Sequence, residues 1–173
     1  MAASIGKVFE REMAKVVRLL IETRAVGLVR FPDSGDAGSL IAAQPSDYLL
    51  GLPPGCINLH DGQRMMFLEA KASEEHHKLG KAMVRPAQRG AIAKFRYLLN
   101  IPYYIVFWDA QDGVIQLWDG LAIHGERNIR KEFMLAEWKG CGSYTRLNTK
   151  AVADHIADYF QIPITKDTLS KAR

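Results

Sequence analysis

Glu69 and Lys71 lie near the end of the stretch Met65 to Ser73, M-M-F-L-E-A-K-A-S, and their types and spacing could do chemistry together. The apolar run leading into them reads as a strand, and the period of two in a strand sends both side chains to the same face. A carboxylate and an ammonium then leave one rigid element side by side. Alone, such a Glu-x-Lys is an ion pair at a strand end. It becomes a centre for chemistry only when a second acid is delivered to the same place.

The preceding elements offer two candidates. From Ile5 to about Arg24, the residues Ile5, Val8, Phe9, Met13, Val16, Val17, Leu20 and Ile21 recur at three- and four-residue spacing, with Ser4 as the expected N-cap. That pattern predicts an amphipathic helix. Glu10 falls on the ridge of Met13, Ala14, Val17 and Ile21, at the edge of the buried stripe, where its carboxylate snorkels, pairs with Arg11 or Arg30, or turns toward a site. Lys7, Arg11, Lys15 and Arg18 form a basic line on another ridge, a solvated face that would serve as a phosphate rail beside a polyanion. Gly27 to Phe31 reads as a strand ended by the turn residues Pro32-Asp33-Ser34-Gly35-Asp36, and residues 36 to 45 are small and polar enough to form a mobile loop. Tyr48, Leu49 and Leu50 form a short strand with Asp47 at its mouth. Pro53-Pro54-Gly55 and Asp61-Gly62 make Gly51 to Arg64 a long turn, so two antiparallel strands bring Asp47 within reach of Glu69.

Beyond Ser73, Glu74 to Arg85 is a flexible basic loop by composition, carrying His76, His77, Lys78, Lys81 and Arg85. The two histidines are read as solvated surface residues. Pro86 suits the first turn of a helix reaching about Asn100, with Ile92, Phe95, Leu98 and Leu99 as its buried stripe and Gln88 pointing back toward the strand ends. Pro102 to Trp108 is the strongest strand signal, and Asp109 to Gly113 turns it back into Val114 to Trp118. In that hairpin Trp108 and Trp118 are expected to oppose each other, and they, like Tyr103 and Tyr104, read as core or dimer contacts. Gly120 to Gly142 shows no decisive periodicity. Asn148 or Thr149 caps a last helix through Ala151, Val152, Ile156 and Phe160, and Lys166 to Arg173 is a basic tail.

With 173 residues and 48% apolar content, the chain supports one well-buried domain, with a core at about 5 to 118 and a C-terminal extension over about 119 to 173. A formal charge of +4 suits a polyanionic partner. Cys56 and Cys141 are far apart and outside any C-x-x-C spacing, so neither a zinc site nor a disulfide framework is indicated. No apolar run is long enough to span a membrane, and charges from Lys7 onward interrupt any leader, so a soluble, cytoplasmic protein is expected.

Five segments together resemble the PD-(D/E)xK nuclease superfamily, and within it the archaeal and phage-type Holliday junction resolvases. They are G-K-V-F-E-R-E on the first helix, V-R-F-P-D-S-G after the first strand, P-S-D-Y before the second, L-E-A-K-A-S, and R-P-A-Q on the following helix. The resemblance covers roughly residues 5 to 108. It implies an α/β fold, a single restriction-endonuclease-like domain with a central mixed sheet flanked by helices. It also implies a Mg²⁺-dependent structure-selective DNA endonuclease, with Mn²⁺ as a substitute ion, working as a homodimer on four-way junctions. Asp47, Glu69 and the Ala70 carbonyl would hold the ion, since hard Mg²⁺ prefers oxygen ligands. Lys71 would orient the attacking water or offset charge on the phosphorane. Glu10 would complete a second ion's shell, Gln88 would position, and Ser34 would approach the nucleic acid backbone. Lys7, Arg11, Lys15, Arg30, Lys78, Lys81 and Arg85 would contact DNA phosphates. Ser46 stands where the motif has proline, and Asp33, in the literal Pro32-Asp33 pair, and Asp61 remain alternatives for the second acid. The other readings are a restriction-type, flap or mismatch nuclease, or a DNA-binding module of the same fold without catalysis.

Overall fold

The computed structural model describes residues 4–30, 46–57, 59, 63–123, 131–143 and 146–165, without the side chains of 29, 30 and 97. The apolar spacing of the first segment is realised as helix α1, Ile5–Thr23, which buries Phe9, Met13, Val16, Val17 and Leu20. Ser4 occupies the N-cap position without a side-chain capping bond. A sixth residue of the buried face, Glu12, has no counterpart in the apolar stripe, and it is held by Lys15 at 2.8 Å and Arg11 at 3.6 Å.

Strands β1 (Gly27–Arg30), β2 (Tyr48–Gly51), β3 (Met65–Ser73), β4 (Tyr103–Asp109), β5 (Val114–Asp119) and β6 (Met134–Trp138) form one sheet in that order. Among the described strands only β3 and β4 run parallel. A parallel neighbour requires a long crossover, and helix α2 (Pro86–Ala93) lies within it. A small hairpin, β7 (Gly142–Ser143) with β8 (Arg146–Leu147), precedes helix α3 (Thr149–Phe160), whose N-cap Asn148 accepts the Ala151 N–H at 3.2 Å.

Strand parity divides the interior. Met66, Leu68 and Ala70 of β3 and Tyr104, Val106 and Trp108 of β4 pack with α1 and with Val152, Ile156 and Phe160 of α3 on one face. Phe67, Tyr103, Ile105 and Phe107 pack with Ile92 of α2 on the other. Burying each of the larger apolar side chains contributes about 1.5–3 kcal/mol. A mixed sheet with helices on both faces agrees with the restriction-endonuclease-like α/β fold that the resemblance implies. No helix among the described residues is long and apolar enough to cross a membrane.

Several expectations need correction. Trp108 pairs with Ile115 and Trp118 with Ile105, so the two indoles do not oppose each other. They lie in the two different cores. The stripe through Leu98 and Leu99 fails because the helix widens into a π-helical turn at Lys94–Leu98, which advances the side chains out of the 3.6-residue phase. Leu98 is 78% exposed as a result. The segment after β3 is no free loop, since Leu79 and Val84 are buried against Phe67 and Ile92. The last third supplies the edge strand β6 and the α3 part of the first core.

Candidate active site

The site begins with the pairing of β2 and β3. Tyr48 lies opposite Leu68 at the start of the antiparallel ladder, and Asp47 immediately precedes that pair. Glu69 is fully buried, and Lys71, two residues on, points the same way with its side chain 19% exposed. The Lys71 ammonium donates to Glu69 Oε1. The Gln88 amide, from the first turn of α2, donates to that same oxygen. Gln88 is held there because its Oε1 accepts the Arg85 N–H at 3.1 Å as the capping group of α2. From β4, where Ile105 pairs with Glu69, the Tyr103 hydroxyl donates to Glu69 Oε2 at 3.3 Å.

Asp47 is fixed by the backbone. Odd-numbered residues of β3 bond to β4, as shown by Phe67 N–H to the Pro102 carbonyl and Ala110 N–H to the Ser73 carbonyl. The Ala70 N–H and C=O therefore face the β2 side of the strand. There the Ala70 N–H donates to Asp47 Oδ2 at 2.8 Å. Ser46, 1% exposed, ties the start of β2 to β3 by donating to the Leu68 carbonyl at 2.7 Å.

Burial, then the nearby Asp47 charge, push the Glu69 carboxyl up to about 7, against the pull of Lys71 and Tyr103. Burial and the two carboxylates hold the Tyr103 hydroxyl protonated, well above the ordinary phenol range. The Asp47 and Glu69 carboxylates thus lie close to each other, with the Lys71 ammonium on Glu69. Oxygen donors with excess negative charge fit a hard divalent cation, and the residues that would hold one are Asp47 and Glu69, with the Ala70 carbonyl on the same side as Asp47.

The other expected residues are placed differently. Glu10 is exposed on α1, the layer against the even-numbered face of β3, whereas Glu69 and Lys71 project from the odd-numbered face. Its backbone carbonyl accepts the Tyr48 hydroxyl at 3.4 Å, so that turn of α1 lies beside the start of β2. Lys7, Arg11 and Lys15 are exposed on α1, two of them engaged with Glu12. Lys78 and Arg85 are exposed and Lys81 half-buried in the connection from β3 to α2. Ser34, Asp33, Asp61 and the Arg30 side chain lie outside the described residues.

Three features escaped the sequence. Ser46 and Tyr103 are buried polar neighbours of the acids, and Tyr103 could be found only from the register of β3 against β4. The third is a cluster in which His77 Nδ1 lies 2.9 Å from Asp109 and 3.1 Å from Asp112. Ser73 pairs with Asp109, so the strand ends bring the His77 loop to the β4–β5 turn. The Asp109 hydrogen bond, with the charges of Asp109 and Asp112, raises the His77 imidazole above its ordinary value. His76 is exposed, as expected.

No protein-family model and no curated protein matches the chain. Among solved structures it is similar to a Holliday junction resolvase of the archaeal hyperthermophile Archaeoglobus fulgidus, with 15% identity and a TM-score of 0.39 over 78% of this chain and 88% of that one.

Proposed function

We propose that this chain is a Mg²⁺-dependent, structure-selective DNA endonuclease, a Holliday junction resolvase that hydrolyses phosphodiester bonds as a homodimer. The observation that supports this reading is the convergence of Asp47, Lys71 and Gln88, from three elements, around the buried carboxylate of Glu69. The bound ion would supply Lewis-acid polarisation of the phosphate. Lys71 orients the attacking water or offsets charge developing on the phosphorane. Gln88 keeps the Glu69 carboxylate in one orientation. Lys78, Lys81 and Arg85, in the connection from β3 to α2, would take phosphates, with Lys7, Arg11 and Lys15 on α1 as a second set. Glu10 lies on α1 in the layer at the other face of the sheet and is left out of the proposed ion shell. Paired incisions across a two-fold junction call for two identical sites, hence two copies of the chain.

One observation favours a second reading, a DNA-binding module without catalysis. Lys71 and Gln88 are both engaged by Glu69, and Asp47 by Ala70, so the polar groups satisfy one another. A Mg²⁺-dependent cleavage panel of four-way junction, flap, plain duplex and single strand separates the readings. A resolvase cuts the junction preferentially. Preference for the plain duplex sinks the resolvase assignment, and junction binding without any cleavage favours the module.

A further inference from the structure

Two hydroxyls lie beneath the carboxylates with no assigned task. Tyr103 is fully buried among apolar neighbours, its ring 5.7 Å from that of Phe67, a place where phenylalanine would pack as well. A phenol hydroxyl taken out of water costs free energy unless it is hydrogen-bonded, and this one is directed to Glu69 Oε2 at 3.3 Å. Ser46 occupies the position that carries proline in the resembled motif. Unlike proline, it brings a buried Oγ, which donates to the Leu68 carbonyl at 2.7 Å and accepts the Tyr48 N–H at 3.3 Å. One hydroxyl fixes the backbone that carries Asp47, and the other fixes the carboxylate of Glu69.

Resting on the nuclease reading above, we propose that Ser46 and Tyr103 are positioning residues of this site, two buried hydroxyls that hold the Asp47 backbone and the Glu69 carboxylate in place for a divalent cation. Partners that orient metal ligands typically change affinity or activity by about 10–100-fold when removed. Neither residue needs to touch the nucleic acid.

The test uses Tyr103→Phe and Ser46→Ala in the full chain. Mn²⁺ binding is measured by calorimetry without DNA, and kcat and KM are measured for Mg²⁺-dependent cleavage of a four-way junction. Both variants are expected to weaken Mn²⁺ binding and lower kcat by about tenfold or more, with KM for DNA and the melting temperature close to wild type. Ser46→Ala keeps the question decidable if Tyr103→Phe folds poorly, because it leaves the aromatic packing untouched. Variants that match an active wild type in Mn²⁺ affinity and kcat overturn the positioning role alone. A wild type that neither binds Mn²⁺ nor cleaves overturns the nuclease reading and the positioning role with it.

Discussion

Burial and the nearby Asp47 charge raise the Glu69 carboxyl to about 7, against the opposing pull of the Lys71 ammonium and the Tyr103 hydroxyl. The consequence for stability has a definite sign. The unfolded carboxyl releases its proton near pH 4.3, while the folded one holds it to about 7. The metal-free wild type therefore loses stability as pH rises between those values. Glu69→Gln does not titrate, so its melting temperature should gain on that of wild type between pH 4.5 and 8. A constant difference across that range would remove the perturbed carboxyl from the account. Much of this site could be read residue by residue, because Glu69-x-Lys71, Asp47 at a strand mouth and Gln88 at a helix start are local patterns. Glu12 could not, since a charge on a buried helical face gives no signal until its partners Lys15 and Arg11 are in place.

At the scale of elements, the parallel β3–β4 register decides what reaches the site, and it is the part that sequence patterns do not encode. Each strand is legible from its own apolar run, but the crossover between them leaves the register free. Tyr103 and the His77–Asp109 pair follow from that register. His77, 60% exposed in its side chain, ties the loop after β3 to the β4–β5 turn. Its raised value makes this tie fully present below the ordinary histidine range near 6.5, and it is lost as pH rises through the higher folded value. His77→Gln should remove that component from the pH dependence of melting, and an unchanged profile would mean that the tie contributes nothing. The same turn depends on Gly113, whose φ is +65° and whose added Cβ would come within 2.2 Å of the Gly142 carbonyl oxygen. Gly113→Ala should cost more than the roughly 1–2 kcal/mol of the left-handed conformation, read as a fall in denaturant midpoint. A neutral result would show that the β7–β8 hairpin can shift away.

Across the whole molecule, the last third is built into the same interior as the site. Phe160 of α3 is fully buried and packs against Tyr104, ring centroids 5.1 Å apart, while its backbone carbonyl accepts the Ile57 N–H at 3.0 Å. Phe160→Ala should destabilise the fold by about 3–5 kcal/mol, and an effect below 1 kcal/mol would mean that α3 is dispensable. This role was faint in the sequence because Gly120 to Gly142 has no regular period, so nothing local announced β6 or the return of the chain to α1. The central claim, hydrolysis at Glu69 and Lys71, is tested most directly by Mg²⁺-dependent cleavage of a labelled four-way junction by wild type and Lys71→Ala, with junction binding measured on the same samples. The variant is expected to bind nearly as well and to cleave at least about 100-fold more slowly. Cleavage at the wild-type rate would contradict it.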